Sequence, residues 1–323
     1  MIIIGAGMAG LLAGNMLRVQ HNPGIMEAAS ALPNNHSAVL RFRSSVVSDV
    51  IGIEFRKVRV MRAVQPWQNA IADAIAYSVK CNGVADMRSI MAADGSVVDR
   101  FIAPPDLIQR MAAGLPEDSI TFNFKVESFL IKGWRRHKQP IISTIPMPAA
   151  MDLLGWEGDR PEFRFRHGAN IVATLSGVSF FASLYVPNPS FIGSRISITG
   201  NEMIIECPGE DAEELAAKEA AGGFVESLLV EACQMMGLPP RVVEHFAIKP
   251  QRYAKILPID EQTRKAFIMW ASDRFGFYSL GRFATWRPGL LLDDVVHDVR
   301  VIQRIISGDS SARYSSRKGG NRQ

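Results

Sequence analysis

The sequence predicts an α/β chain in which a unit built on a parallel sheet is interrupted by a smaller α+β unit carrying an antiparallel sheet. Three observations carry that expectation. A strand, a glycine-rich turn and a helix open the chain, alternating strands crowd residues 168–207, and a strand followed by an amphipathic helix closes it. At 323 residues the chain suits about two domains at ~100–200 residues each. Its 47% hydrophobic and 21% charged residues exclude disordered, collagenous and coiled-coil classes. No apolar run approaches the ~20 residues of a bilayer span, so no membrane partner is expected.

Residues 2–4, all isoleucine, read as a short buried strand. Gly5-Ala6-Gly7-Met8-Ala9-Gly10 is a G-x-G-x-x-G turn, and residues 11–19 continue with helical apolar spacing. The glycines have separate tasks: Gly5 permits the tight turn, Gly7 lets the backbone approach a pyrophosphate, and Gly10 lets the helix pack closely on the strand. Ala6, Met8 and Ala9 complete the cradle, where a helix head offers free N–H groups and partial positive charge to phosphates. A second short strand at 24–26 ends in Glu27, 22 positions after Gly5. Its carboxylate is placed to accept hydrogen bonds from a ribose 2′-hydroxyl, and it disfavours the extra phosphate of NADP. Strand, turn, helix, strand and acid in this order make a Rossmann-like dinucleotide-binding context.

Further along, Pro104-Pro105-Asp106 precedes an apolar-periodic helix containing Leu107, Ile108 and Met111. Residues 121–124 and 141–146 read as strands. Alternation at 179–186, 194–199 and 202–207 predicts the antiparallel sheet. One long Ala/Glu/Leu-rich helix is expected over 211–236, then strands at 267–271 and 277–280. The final helix, 293–306, carries Val295, Val299, Ile302 and Ile306 on one stripe.

The net charge of +4 resides in the tail, where Arg313, Arg317, Lys318 and Arg322 follow Asp309 without an acid. Residues 310–323 are expected to form a basic, disordered tail. Cys81, Cys207 and Cys233 lie far apart, with no CxxC and no Cys/His ligand spacing. That pattern predicts free thiols in a reducing compartment and no metal site. Met1 is followed at once by apolar residues and a glycine turn, without the charged region of an export signal, so the expected location is cytoplasmic.

IIIGAGMAGLLAG, IISTIPMPAAMDLL, SRISITGNEMIIE and YSLGRFATWRPGLLLDDVVHDV together resemble the flavin amine oxidase, protoporphyrinogen oxidase and UDP-galactopyranose mutase superfamily. The resemblance implies a bound FAD. It also implies a discontinuous FAD-binding domain of residues 1–45, 95–150 and 245–309, with residues 46–94 and 151–244 making the substrate domain. Gly281-Arg282 and the helix head at Leu291, Leu292 and Asp293 are then expected at the flavin pyrimidine ring, and Val126 joins the cofactor contacts. A helix N-terminus suits that place, because a reduced flavin carries negative charge near N1 and the C2 carbonyl. Asp293 reads equally as an N-cap. The chain departs from the family at Asn34-Asn35-His36, where a Gly-Gly pair is usual. The basic segment that follows offers Arg41 or Arg43 as a bidentate pyrophosphate ligand.

A flavin here is open to several uses. Amine-oxidase-type hydride removal needs an aromatic slot, for which Trp270, Phe275, Phe277, Tyr278 and Trp286 are candidates. A mutase-type isomerase keeps the flavin reduced, uses N5 as a nucleophile and holds an anionic substrate by arginines. Arg195 and Arg282 stand at the matching motif positions, with Arg252 and Tyr253 upstream. Arg195, Arg282 and Tyr253 are therefore the expected catalytic residues. Basic clusters at 41–62, 132–138 and 160–167, interleaved with Phe42, Phe55, Trp134, Phe163 and Phe165, suit a nucleotide or nucleic-acid substrate as an alternative. The remaining alternative is a protein that holds FAD without turnover.

Overall fold

The computed structural model describes residues 1–32, 41–85 and 95–308. In chain order the first elements are β1 (Ile2–Ile4), α1 (Met8–His21), β2 (Gly24–Met26), β3 (Arg41–Phe42), α2 (Val46–Ile51), β4 (Arg56–Val64), α3 (Ala70–Asn82) and β5 (Ser96–Ile102). There follow α4 (Leu107–Ala113), β6 (Ile120–Thr121), α5 (Ser128–Arg136), β7 (Ile141–Ser143), α6 (Met147–Leu154), β8 (Phe165–Leu175) and β9 (Phe180–Tyr185). The chain continues through β10 (Arg195–Gly200), β11 (Glu202–Pro208), α7 (Ala212–Gly222), α8 (Phe224–Met235) and β12 (Val243–Ile256), and the described part closes with α9 (Glu261–Phe275), β13 (Phe277–Ser279) and α10 (Leu292–Ile306).

Two sheets organise these elements. A five-stranded parallel sheet runs in the order β13-β7-β1-β2-β6. Its central strands are isoleucine-rich because helices cover both faces. On one face Ile3, Ile25 and Ile142 pack with α1, α2, α4 and α10 through residues such as Leu11, Val47, Leu107 and Val299. On the other, Ile4 and Ile141 pack with Ile131 of α5, Met151 of α6 and Phe267 of α9. The eight-stranded sheet runs β12-β8-β11-β10-β9-β4-β5-β3; it is antiparallel except where β4 meets β9. Alternation gives it one apolar face, where Ile171, Ile196, Ile198 and Ile205 pack beneath α7 and α8.

Sheet membership follows the chain in smaller pieces than the expected division. β3, β5 and β12 lie in the eight-stranded sheet, although they fall in segments 1–45, 95–150 and 245–309. α2, from segment 46–94, packs Val47 and Ile51 against the parallel sheet's core.

Three local expectations are corrected. Residues 211–236 form two helices, because Gly223 at φ +70° ends α7 and the Glu219 carboxylate accepts from the Val225 and Glu226 N–H groups at the start of α8. Residues 267–271 are helical, within α9. Asp260 caps that helix by accepting from Thr263 N–H at 2.7 Å, and Phe267 and Ala271, four apart, face the core. A short apolar run without alternation reads the same for a buried strand and a buried helix. The strand expected at 121–124 is only Ile120–Thr121. The tail at 310–323 and the Asn34-Asn35-His36 departure lie outside the described residues.

Candidate functional site

The parallel sheet ends in a cradle made by backbone. Gly5 sits at φ +97°, where a side chain would also strike Thr144. A Cβ on Gly10 would run into the Gly5 carbonyl oxygen, so only glycine lets α1 lie on β1. Gly7 differs from both: a Cβ there would meet nothing within 4 Å. Packing therefore leaves the space beside Gly7 open. Gly7 is also the N-cap of α1, with no side-chain cap and no acid in the first turn, so the helix head formed by Met8 and Ala9 presents N–H groups and uncompensated positive charge to that space.

Glu27 closes one side. Its carboxylate accepts from Ala6 N–H at 2.6 Å and Ala29 N–H at 2.8 Å, which fixes it at the end of β2 and leaves lone pairs for a hydroxyl. Gly281 closes the other side at φ +90°, in a position where a Cβ would stand 3.0 Å from Ala9 Cβ. An open glycine at a bare helix head, a fixed carboxylate at the second strand end and a close C-terminal segment fit an adenine dinucleotide.

The α10 head lies beside the cradle through an unexpected tie. Leu291, not Asp293, is the N-cap, and the Asp294 carboxylate accepts from Leu291 N–H at 2.9 Å. Asp293 instead accepts from both the N–H and the hydroxyl of Ser44, each at 2.9 Å. Leu292 and Asp293 present their backbone N–H groups at the same helix head. Val126 packs at the edge of the core below the sheet with Ile131.

The second half of the site is a polar sheet face. Strand register sets Arg195 between Tyr185 of β9 and Glu206 of β11, and sets Ser197 beside Ser183. Glu206 stands opposite Asn170, and Ser183 opposite Arg62. This face is buried yet hydrophilic: Asn170 is 2% exposed and Ser197 1%. Arg195 is ion-paired with Glu206. Burial opposes the Arg195 charge, but the Glu206 carboxylate outweighs it and holds the Arg195 pKa above the ordinary range. Tyr77 reaches in from α3 and meets the Tyr185 ring edge-on at 5.8 Å; burial raises its pKa well above the usual value, so the phenol stays neutral. Arg282 approaches from the parallel sheet with its guanidinium 5.7 Å from the Phe283 ring centre. Arg195 Nε and Arg282 Nε are both buried without a hydrogen-bond partner.

The other expected residues divide. Arg41 is turned into the eight-stranded sheet and donates to Thr199 Oγ1 at 2.9 Å from Nε, to Ser183 Oγ at 2.9 Å, and to the carbonyls of Ala182 and Ile198. Burial lowers its pKa to about 10, helped by Arg195. Arg41, expected as a pyrophosphate ligand, staples β3 to β9 and β10 through these donors. Arg43 is exposed, and with Arg62 it adds to burial in lowering the pKa of Arg100, which also feels Asp293. Tyr253 packs on Phe165 at 4.7 Å and Phe283 at 5.2 Å between ring centres, joining β12 to the Gly281–Arg282 segment. Of the aromatics expected to form a slot, Phe277 is fully buried and Trp286 is 1% exposed, with its indole N–H on Leu257 O, while Trp270, Phe275 and Tyr278 are half-buried.

The three basic clusters lie on separate elements, and several members are spent. Arg160 pairs with Asp152, and Arg166 holds the Val79 and Lys80 carbonyls at the end of α3. Lys132, Arg135 and Arg136 lie exposed on α5. An open groove of about 470 Å³ beside Trp286 and His297 contains none of the expected cofactor-binding or catalytic residues, and its arginines, Arg264 and Arg287, are paired with Glu261 and Asp298. Among the described residues no helix is long and apolar enough to cross a membrane, and no group of three or more His, Cys, Asp or Glu could hold a metal ion.

Sequence reasoning missed Glu206, Tyr185, Tyr77, Arg62 and Arg100. The available signal was the alternation of β10, where Arg195, Ser197 and Thr199 interleave with Ile196 and Ile198.

Solved structures of similar fold were found. A reduced UDP-galactopyranose mutase superposes with a TM-score of 0.69 at 14% identity, over 96% of this chain and 94% of that one. A fatty acid isomerase from P. acnes gives 0.58 at 12%, over 94% and 97%. A probable FAD-dependent monooxygenase from Pseudomonas aeruginosa gives 0.53 at 13%, over 97% and 88%. No protein-family model and no curated protein sequence matches the chain. The chain therefore shares the fold of these structures, a parallel sheet covered by helices on both faces joined to a second, mainly antiparallel sheet.

Proposed function

We propose that this chain is an FAD-dependent enzyme acting on a small anionic substrate held between Arg195 and Arg282. The observation that carries the reading is the meeting of two half-sites: an open backbone cradle at Gly7, and a buried polar sheet face whose two arginines keep unspent Nε donors. FAD, when bound, supplies the capacity to take up or return a hydride or an electron pair.

The chain's own groups bind and orient. Gly7, Met8 and Ala9 receive a pyrophosphate, Glu27 a ribose, and the α10 head stabilises negative charge on the ring system. Arg195 and Arg282 fix the acid group of the substrate, and Tyr77 and Tyr185 wall the face beside them. Within this reading residues 1–45, 95–150 and 245–309 contribute most of the cofactor half, with β3, β5 and β12 crossing to the substrate half.

An isomerase of the mutase type is favoured over amine oxidation. Both arginines act electrostatically on one carboxylate, Glu206, whereas two of the aromatics needed for a lipophilic slot, Phe277 and Trp286, are buried in the core. Absorbance spectroscopy of protein purified with added FAD tests the cofactor: flavin bands released on denaturation are expected, and their absence removes the reading. Anaerobic titration tests the reaction class. Turnover only after flavin reduction, without net redox change, is expected for an isomerase, while reduction of the flavin by an amine supports the oxidase. Oligonucleotide binding that falls steeply with salt would move the reading to a nucleic-acid substrate.

A further inference from the structure

Glu206 is a carboxylate in a place where an anion site gains nothing from one. It stands across the β10/β11 ladder from Arg195 and is ion-paired with that guanidinium. The pair is partly enclosed, with 30% of the arginine side chain and 18% of the glutamate exposed. Burial pushes the Glu206 carboxyl up, but Arg195, Lys255 and Arg282 together bring it below its usual range, so it is ionised. The three cations come from different elements: Arg195 from β10, Lys255 from β12, and Arg282 from the segment after β13. One carboxylate thus answers to cations from both sheets.

A fixed negative charge in such a site acts on every charge a ligand brings. In a partly desolvated interval the repulsion scales with ligand charge, so a doubly charged group meets twice the penalty of a singly charged one. Meanwhile the pairing occupies Arg195 Nη2 and leaves Nε, which has no partner, as the donor for a ligand; Arg282 Nε stands in the same condition. The arginines can still hold an oxyanion, but with part of their charge already cancelled.

We propose that Glu206 is the specificity-determining counter-charge of this site, and that it sets the Arg195–Arg282 interval to favour a singly charged oxyanion, a carboxylate or a phosphodiester, over a doubly charged terminal phosphate. This rests on the reading of that interval as the substrate site, and it adds which acid group the site takes. Glu206 acts through the two arginines and need not touch the reacting atoms.

The test is calorimetric titration of FAD-loaded protein with formate and with sulfate at fixed ionic strength. Glu206→Gln keeps the shape and an acceptor for Arg195 while removing the charge. It is expected to raise sulfate affinity at least tenfold and formate affinity by distinctly less. Glu206→Asp keeps the charge and should keep the wild-type sulfate-to-formate ratio. Equal sulfate affinities in wild type and Glu206→Gln, or an equal gain for both anions, overturns the proposal.

Should Glu206→Gln not fold, the comparison moves to Arg195→Gln against the Arg195→Gln/Glu206→Gln double variant, where the same tenfold gain in sulfate affinity is expected and its absence is fatal. A protein that binds FAD, but whose anion binding is absent or indifferent to Arg282→Gln, refutes the role of Glu206 and leaves the cofactor reading standing. A protein that takes up no FAD refutes the cofactor reading, and anion titration of the same preparation still decides Glu206.

Discussion

The two sheets place function in different parts of the polypeptide. In the five-stranded sheet both faces are apolar and the proposed site forms beyond the strand ends, from glycines and helix heads, so backbone would do the binding. In the eight-stranded sheet one face is apolar and the other carries buried Asn170, Ser183 and Ser197 with Arg195 and Glu206, so side chains would do it. A backbone site needs space and uncompensated N–H groups. A side-chain site needs a polar face held dry, with each group matched to a partner.

The sharpest break in this comparison comes from two glycines of one motif. Gly10→Val is expected to cost more than about 3 kcal/mol and to prevent native folding, because the new side chain meets the rigid Gly5 carbonyl; circular dichroism and urea denaturation would report it. Gly7→Val meets no neighbour and should hold stability within about 0.5 kcal/mol. Its FAD affinity should nevertheless fall at least a hundredfold, by fluorescence titration. A stable Gly7→Val protein that still binds FAD normally would refute the backbone half of the comparison.

Arg41→Met probes the side-chain half. It strips several carbonyl and hydroxyl acceptors on β9 and β10 of a charged donor, for an expected loss of about 3 kcal/mol with FAD affinity unchanged. Lost FAD binding with unchanged stability would return Arg41 to the cofactor.

Lys80 tests how tightly α3 is held over the polar face. Its ammonium donates to the Val186 and Asn188 carbonyls at 2.8 and 2.7 Å, and burial lowers its pKa from 10.5 to about 8. Between those values the unfolded chain binds more protons than the folded one, so stability should rise with pH from about 8 towards about 10. Below about pH 8 both forms are protonated and the whole penalty stands. Urea midpoints at about pH 7.5 and about pH 9.5 should show the rise, and Lys80→Met should remove the part due to this group. The smallest effect is expected from Asn69→Ala, which removes the cap accepting from Ile71 and Ala72 N–H and should cost about 1 kcal/mol in thermal or urea unfolding.

The same contrast decides what could be read before the fold was known. The cradle was legible because Gly5, Gly7, Gly10 and Glu27 lie within one strand–helix–strand unit, and their spacing encodes their geometry. α10 was legible from its stripe of Val295, Val299 and Ile302. The polar face was not, since Arg62, Tyr77, Tyr185, Arg195 and Glu206 come together only through the pairing of β4, β9, β10 and β11 and the packing of α3. Arg41 shows the limit most plainly: a basic residue near a phosphate motif reads as a ligand until its sheet partners, more than a hundred positions away, are known. α9 was misread for a local reason, its apolar run offering no periodicity against the weaker evidence of the Asp260 cap.

The tie between Ser44 and Asp293, and the contact of Gly281 with Ala9, bear on the order in which the protein is made. The ribosome delivers the glycine turn some 270 residues before Gly281, which closes it. Throughout that interval the emerging polypeptide carries a half-built cradle, with the edge of β7 waiting for β13. On the proposed reading the cradle can take its cofactor only once Gly281 has been made. A nascent chain arrested before Gly281 lacks one wall of the cradle, so supply of the proposed cofactor would influence yield only after that residue has been added.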